Sequence, residues 1–450
     1  MSKEGSFAKL PGFRDFPPED LALRNHLFDT WRRVSRRYGF VEYDGPPLEE
    51  LDLYTEKSGD EIVHQLYEFT DKGERRVALR PEMTPSLARI LAERSRALPK
   101  PIRWFSIPQL FRYERQQRGR LREHFQWNVD LVGEAGIEAD AEILAIALGG
   151  LAELGLGATD IRARVSDRVL LAELLRASGV PEVRLDAAYA VVDKMERESR
   201  DRIESRLVSQ EEVALARDQA QRVLALFDAP GLDDVERAFG SNDAVTARVS
   251  EIRRFLAILA ELGFGDHVEF DLSIVRGLAY YTGTVFEIFD RSGEFRAICG
   301  GGRYDGLLER VGGDALPAVG FGMGDVVLGE ILKERGLAPE YRPEVDLFIV
   351  SIGAEQEPIA RKIARARREG GRSVVYPLRS QSVRKQFSAA GSVGAREVIV
   401  LGPDEVGRGM AVVRDMISGE EREVSLAALT ALDGRAESQA VEIPAGGSGV

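Results

Sequence analysis

Between Phe111 and Asp130 the chain reads FRYERQQRGRLREHFQWNVD, and this stretch constrains the fold more than any other. The strict alternation of HFQWNVDLVG predicts a strand, and the loop before it carries Arg115, Arg118 and Arg120, so the whole reads as a hairpin with a basic tip. A hairpin joins antiparallel strands, whereas parallel neighbours need a long crossover. On a period-two strand Arg112 and Glu114 point to one face, and Gln126, Asn128 and Asp130 share a face of the return strand. A cation beside a carboxylate, with more arginines at the turn, suits a nucleoside polyphosphate: phosphates on arginine, a base amino group on glutamate. A solvated hairpin laced with cross-strand ion pairs is the competing reading.

The flanking segments agree with an antiparallel sheet. Residues 19–38 read as an amphipathic helix opened by Pro17-Pro18 and stopped by Gly39. FVEYDGPPLEELDLY is a strand broken at Pro46 and Pro47, which places it at a sheet edge or a subunit interface. A hairpin around Asp71-Lys72-Gly73 leads to a helix starting near Thr84, where Thr84 reads as an N-cap or, with Glu82, as a ligand clamp. Residues 137–157 form an apolar helix and 158–166 a strand. From about 168 to 262 the pattern is helical and charge-rich, with a weak strand signal at 187–193, and reads as an inserted subdomain within a first domain of residues 1–335. Strands return after 267, without regular βαβ alternation, which points to α+β rather than a doubly wound fold.

A βαβαβ pattern begins near 345 and defines a second domain over 345–430. Between 346 and 400 it holds ten Lys and Arg against five Asp and Glu, in a chain whose net charge is −13. This domain is the basic pole, suited to a polyanion. Residues 431–450 are Gly-, Ala- and Ser-rich, the composition of a disordered tail. Four scattered histidines and the single Cys299 give no metal-ligand spacing, and no bridge within the chain. MSKEGSFAKL has no apolar core of signal-peptide length and no run is long enough to span a bilayer, so the expected location is cytoplasmic.

Two glycine clusters need separate explanations. GFGMGD at 320–325 is spaced wrongly for a dinucleotide fingerprint, and GGGRYDG at 300–306 lacks the partners of a P-loop. Glycines in a strand let a ligand or another backbone come close. Arg303 then either reaches into that space or pairs with Asp305.

Taken together, GPPLEE at 45–50, FRYE at 111–114, VRGLAYYTGTVFE at 275–287 and GGGRYDGL at 300–307 resemble the motifs of histidyl-tRNA synthetases, a family of class II aminoacyl-tRNA synthetases. The resemblance runs from about residue 8 to 430. It implies a class II antiparallel sheet with flanking helices, a helical insertion and a C-terminal α/β anticodon-binding domain, assembled as a homodimer with Pro46 at the interface. It implies L-histidine, ATP with Mg2+, and tRNA(His) as substrates and cofactor. Arg112 matches the arginine at the α-phosphate and Arg276 a family-specific arginine at the reacting centre; Glu114 matches the acceptor of the adenine amino group and Arg120 the cation near the γ-phosphate. Phe125, or else His124, takes the place of the ring stacked on adenine. Glu82, Thr84 and Gln126 match residues holding the substrate amino group. Asp130 and Tyr281, with Tyr280 beside it, match those around the imidazole, where a carboxylate and a phenol satisfy one donor and one acceptor nitrogen. Arg115, Gln117 and Arg118 would meet the tRNA acceptor end, and Arg365, Arg368 and Arg384 the anticodon.

The chain departs from the family pattern in four places. Gly324 is followed by Asp325, Val326 and Val327 where motif 3 has Gly-x-Glu-Arg; Ala279 replaces an aspartate; His124 and Phe125 exchange places; and Gln116 replaces a proline. Loss of the motif 3 arginine favours the alternative of a non-catalytic paralogue, a histidine-sensing regulatory subunit of ATP phosphoribosyltransferase. The remaining ATP-side residues and the C-terminal domain favour the enzyme.

Overall fold

The computed structural model describes residues 7–55, 64–115, 117–195, 198–228, 231–274 and 281–431. The chain divides into two compact units, Met1–Pro339 and Glu340–Val450. Strands of the first unit, in chain order, are β1 Val41–Glu42, β2 Leu48–Glu50, β3 Tyr67–Thr70, β4 Arg76–Leu79, β5 Ile102–Ser106, β6 Gln109–Phe111, β7 Glu123–Val132, β8 Ile161–Asp167, β9 Val268–Phe270, β10 Thr284–Asp290, β11 Cys299–Arg303 and β12 Ala318–Gly324. Among the described residues nine of them form one sheet, in the order β1-β5-β7-β12-β11-β10-β8-β9 with β6 also on β7, while β2, β4 and β3 form a small second sheet. The six strands from β5 to β8 are antiparallel throughout, and only the edge strands β1 and β9 run parallel to their neighbours.

Register divides this sheet into two unlike faces. One row across it reads Phe105, Val129, Phe321, Gly301, Phe286 and Val165. These side chains are buried in the main core, against the helices Pro18–Arg37, Ile137–Glu153 and Asp243–Glu261. Full burial of each large apolar side chain contributes about 1.5–3 kcal/mol, so the helices belong on this face. The adjacent rows, one residue out of phase, are Ser106, Asn128, Gly322, Gly300, Glu287 and Arg164, and Trp104, Asp130, Gly320, Gly302, Val285 and Ser166. That face is polar at its ends and glycine in the middle.

Helices dominate between β8 and β9: Arg168–Ala177, Leu185–Val192, Arg200–Ser209, Arg217–Ala225, Leu232–Phe239 and Asp243–Glu261. They enclose a core of their own around Leu174, Val192, Ile203, Val223 and Val249. The suspected strand at 187–193 is helix; its burial at Ala188, Tyr189, Val191 and Val192 follows one helical face. Asp167 joins this layer to the sheet, capping Leu170 N at 2.8 Å and receiving Arg248 Nε at 2.8 Å.

Pro46 and Pro47 separate two edge strands: β1 borders the large sheet and β2 the small one. Thr84 is the first residue of the helix Thr84–Arg94, with Met83 before it and no side-chain cap, so the capping role expected of Thr84 is not found. The strand through Arg112 and Glu114 is also shorter than expected. β6 ends at Phe111, because Glu114 N turns back to Arg112 O at 2.8 Å.

In the second unit β13 Val345–Ser351, β14 Val374–Val375 and β15 Ala395–Leu401 are parallel, as the βαβαβ pattern predicts. A hairpin of β16 Met410–Asp415 and β17 Glu421–Ser425, which that pattern does not announce, completes the order β14-β13-β15-β16-β17. Helices Glu357–Glu369 and Val383–Ser392 pack on this sheet through Ile363 and Ala390. No helix among the described residues is long and apolar enough to cross a membrane.

Candidate active site

The glycine face of the large sheet opens into a cavity of about 800 Å3 lined by Arg112, Glu114, Arg120, His124 and Gln126 on one side and by Glu287, Arg296 to Gly300, Gly322, Gly324, Val326 and Val327 on the other. The glycines are required where they stand. A Cβ on Gly320 would collide with Asp130 Oδ1, and one on Gly322 would lie 2.7 Å from Gln126 Cδ, so any side chain would displace the polar groups. The floor is low because the neighbouring strand carries the function.

Arg112 is fixed by its Nε, which donates to Pro81 O at 2.9 Å, and so ties the hairpin to the segment carrying Glu82 and Thr84. Glu82 is buried and Thr84 half-buried. Arg120 Nε lies 3.0 Å from Glu114 Oε2, an ion pair on the cavity wall without the geometry of a hydrogen bond. His124 faces the same space; burial first, then the charges of Arg112 and Arg14, lower its pKa to about 3, so its ring is neutral at physiological pH.

Farther along the same face lies Asp130, where the Tyr304 hydroxyl donates to Oδ1. Burial pushes the Asp130 carboxyl up to about 7, with the tyrosine bond acting in the opposite sense. Nearby, Tyr43 is held well above its ordinary pKa by burial, then by Asp130, and Ser106 eases it. Neither the Tyr43 hydroxyl nor Ser106 Oγ makes a hydrogen bond of good geometry among the described residues. Buried polar atoms are normally paired, so this end of the face suits a small polar ligand. Tyr281 is buried against Gly302, whose Cβ would meet its ring at 2.9 Å.

Arg112, Glu114, Arg120 and Gln126 are therefore brought together around one cavity, with Asp130 on the same sheet face. Phe125 is not. It lies on the opposite face of β7, 5.1 Å from Phe28 and under Arg24 at 5.2 Å, and His124 lines the cavity instead. Arg303 also points away: its Nε donates to Asp140 at 3.1 Å and Nη1 to Glu134 O at 3.1 Å and Asp305 at 3.2 Å, a buried link to the helix Ile137–Glu153. The expected roles of Arg276 and Tyr280 lie outside the described residues, as do Ala279 and Gln116.

Loop residues Gln117 and Arg118 are occupied: Gln117 Oε1 accepts from Arg296 at 2.8 Å, and Arg118 pairs with Glu334 at 3.2 Å and covers Phe295 at 4.7 Å. Arg115 is exposed beside them. In the second unit, Arg365 pairs with Glu369 at 2.8 Å, Arg368 donates to Val374 O at 2.6 Å and lies over Tyr376, and Arg384 is exposed. A cleft of that unit is lined by Arg361, Tyr376, Arg379 and Gln381, and these three arginines are not in its lining.

Sequence reasoning missed Tyr304 and Arg296. Tyr304 stands in the GGGRYDG segment, but nothing in the sequence brings it to Asp130. The local network around Asp325 was also unforeseen. Arg14 donates to Glu123 at 2.6 Å and to Asp325 at 2.9 Å, and Asp325 accepts Phe125 N at 2.8 Å, so Asp325 closes the sheet at the start of the helix Asp325–Glu334.

Similarity to known proteins agrees with this geometry. The histidyl-tRNA synthetase family model matches residues 12–324, and the anticodon binding domain model matches 346–432. A histidine–tRNA ligase of Opitutus terrae is 44% identical over 421 residues, 93% of this chain and 96% of that protein. The chloroplastic/mitochondrial histidine–tRNA ligase of Arabidopsis thaliana is 41% identical over 418 residues, 93% of this chain and 85% of its own length. The crystal structure of histidyl-tRNA synthetase from a Nostoc species superposes with a TM-score of 0.76 at 25% identity, covering 95% of this chain and 98% of that one. With its glycine-floored cavity, antiparallel sheet and second α/β unit, the chain belongs to the histidyl-tRNA synthetase family.

Proposed function

We propose that this chain is a histidine–tRNA ligase, activating L-histidine with ATP and transferring the histidyl group to tRNA(His). The observation that carries the reading is one sheet face with two chemically different ends: arginines and Glu114 around an open cavity, and Asp130 with Tyr304 and Tyr43 in a buried polar recess. The histidine carboxylate attacks the α-phosphorus, pyrophosphate leaves, and a hydroxyl of the terminal adenosine then displaces AMP from the carbonyl carbon. No side chain need become a nucleophile. Catalysis rests on holding the reactants close and on setting preorganised cations where phosphate charge develops, the task assigned to Arg112 and, outside the described residues, to Arg276. Gln126 and the Glu82–Thr84 segment hold the amino group, and Glu114 and Arg120 take the adenine and the outer phosphates.

Among the described residues no cluster of three or more His, Cys, Asp or Glu could hold a metal alone. Glu287 on the cavity wall, among arginines, fits Mg2+ arriving with the nucleotide, because that ion keeps waters and binds through one or two carboxylates plus phosphates. When bound, it offsets phosphate charge. The second unit takes the tRNA anticodon, supported by its basic helix Glu357–Glu369 and the cleft around Tyr376. The buried Cys299, which is in no disulfide, fits a cytoplasmic, reducing setting.

The test is ATP–pyrophosphate exchange. An enzyme exchanges label only when histidine is present; histidine binding without exchange would make the chain a sensor instead.

A further inference from the structure

The cavity has an apolar corner at the start of the helix Asp325–Glu334. Val327 and Val326 line it, and Val327 packs so closely on the hairpin loop that a Cβ at Gly119 would lie 3.1 Å from its Cγ2. A triphosphate brings several negative charges into this space, and a valine corner gives them nothing. The cations on the cavity wall are Arg112, Arg120 and Arg296. Arg112 is anchored to Pro81 O, and Arg120 faces Glu114. Arg303, the other arginine near the glycines, is committed to Asp140 behind the sheet.

Arg296 reaches the cavity from another strand. Exposed like Arg120, it stands three residues before β11, and Arg296, Ala297, Ile298, Cys299 and Gly300 follow the cavity wall continuously down to the glycine floor. Its Nη2 donates to Gln117 Oε1 of the loop, and its neighbour Phe295 lies under Arg118. These contacts hold the 295–296 segment and the loop together as one rim of the cavity, with Glu114 and Glu287 the carboxylates on the same walls.

We propose that Arg296 grips the outer phosphates of ATP, supplying from the β10–β11 side the cation that Val327 does not. This rests on the proposed function and names a further residue for it. A planar guanidinium pairs two phosphate oxygens at once, which a lysine cannot reproduce.

The experiment combines histidine-dependent exchange with equilibrium binding of ATP and of AMP to wild type, Arg296→Ala, Arg296→Lys and Arg296→Ala/Val327→Arg, each checked by thermal unfolding. Removing one charged hydrogen-bonding group should raise the KM for ATP about ten- to a hundredfold and weaken ATP binding by the same factor. AMP binding and the KM for histidine should stay at wild-type values. Lysine should restore part of the loss, and a cation restored at position 327 should recover more. A wild-type KM for ATP in Arg296→Ala overturns the proposal, and so does an equal loss of AMP binding, which marks a structural role. If wild type itself shows no exchange, the ligase reading fails, while the ATP-against-AMP comparison still decides for or against Arg296.

Discussion

At Asp130 a single carboxyl, pushed up to about 7 by burial and bonded by Tyr304, sets the chemistry of the recess. As an acid with a raised pKa it is favoured neutral by the fold, so its contribution to stability is greatest below about pH 4 and declines as pH rises toward 7. Binding of histidine runs the other way, because the ionised carboxylate is the acceptor for a ring N–H. The KM for histidine is therefore expected to rise as pH falls through about 7, apart from the ligand's own titration near 6.5. Asp130→Asn should raise that KM about ten- to a hundredfold, leave the KM for ATP alone, and retain only the ligand's component of the pH profile. A variant with the wild-type profile would place the imidazole elsewhere. Period-two alternation alone makes Gln126, Asn128 and Asp130 legible as one face. The same rule, applied two residues earlier, selects His124 over Phe125. The resemblance left Phe125 and His124 open, and strand parity puts His124 on the cavity side. The Tyr304 bond was not legible, because it depends on a three-dimensional approach between β7 and the end of β11.

At the scale of elements, the strand β11 is positioned by what lies behind it. Its glycines announced close approach, but Arg303 follows the parity of Gly301 and faces the helix Ile137–Glu153 rather than the cavity. There it is buried with Asp140 and two backbone carbonyls. Breaking a buried pair strands the remaining charge, so Arg303→Ala is expected to lower unfolding stability by about 3–5 kcal/mol, and Arg303→Met with Asp140→Leu to lower it much less. Denaturant unfolding of the three proteins checks this; equal losses would mean that packing volume, not charge, is what the pair supplies. β7 was readable from the alternation of its residue types and the helix Ile137–Glu153 from the length of its apolar run, although neither is buried at the period of its element. β16 and β17 were not, since β17 has no buried residue and its run is charged.

For the whole molecule, the change of pattern near Glu340 and the local excess of cations after it made a second unit legible, because each unit needs its own core and composition changes where one core ends. The prolines at 46 and 47 are what the sequence offers toward assembly, which stays an expectation. The structure adds the exposed Val41, Leu48 and Phe69 on the edge strands β1 and β2 and on β3. Apolar side chains on sheet edges are the surface that a second copy covers in an isologous contact. The segment also leads to the site. Arg80 Nη1 donates to Gly45 O at 2.7 Å and to Asp44 at 2.8 Å, its Nε to Gln109 O at 3.0 Å, and the next residue, Pro81, holds Arg112. Sedimentation at micromolar concentration is therefore expected to find a homodimer, and Leu48→Glu with Phe69→Lys to shift it to monomer. Because Arg80 couples the edge to Arg112, the monomeric variant should also lose histidine-dependent exchange. A wild-type monomer would refute the dimer; a monomeric variant with full exchange would show that Arg80 holds Arg112 without help from a partner subunit.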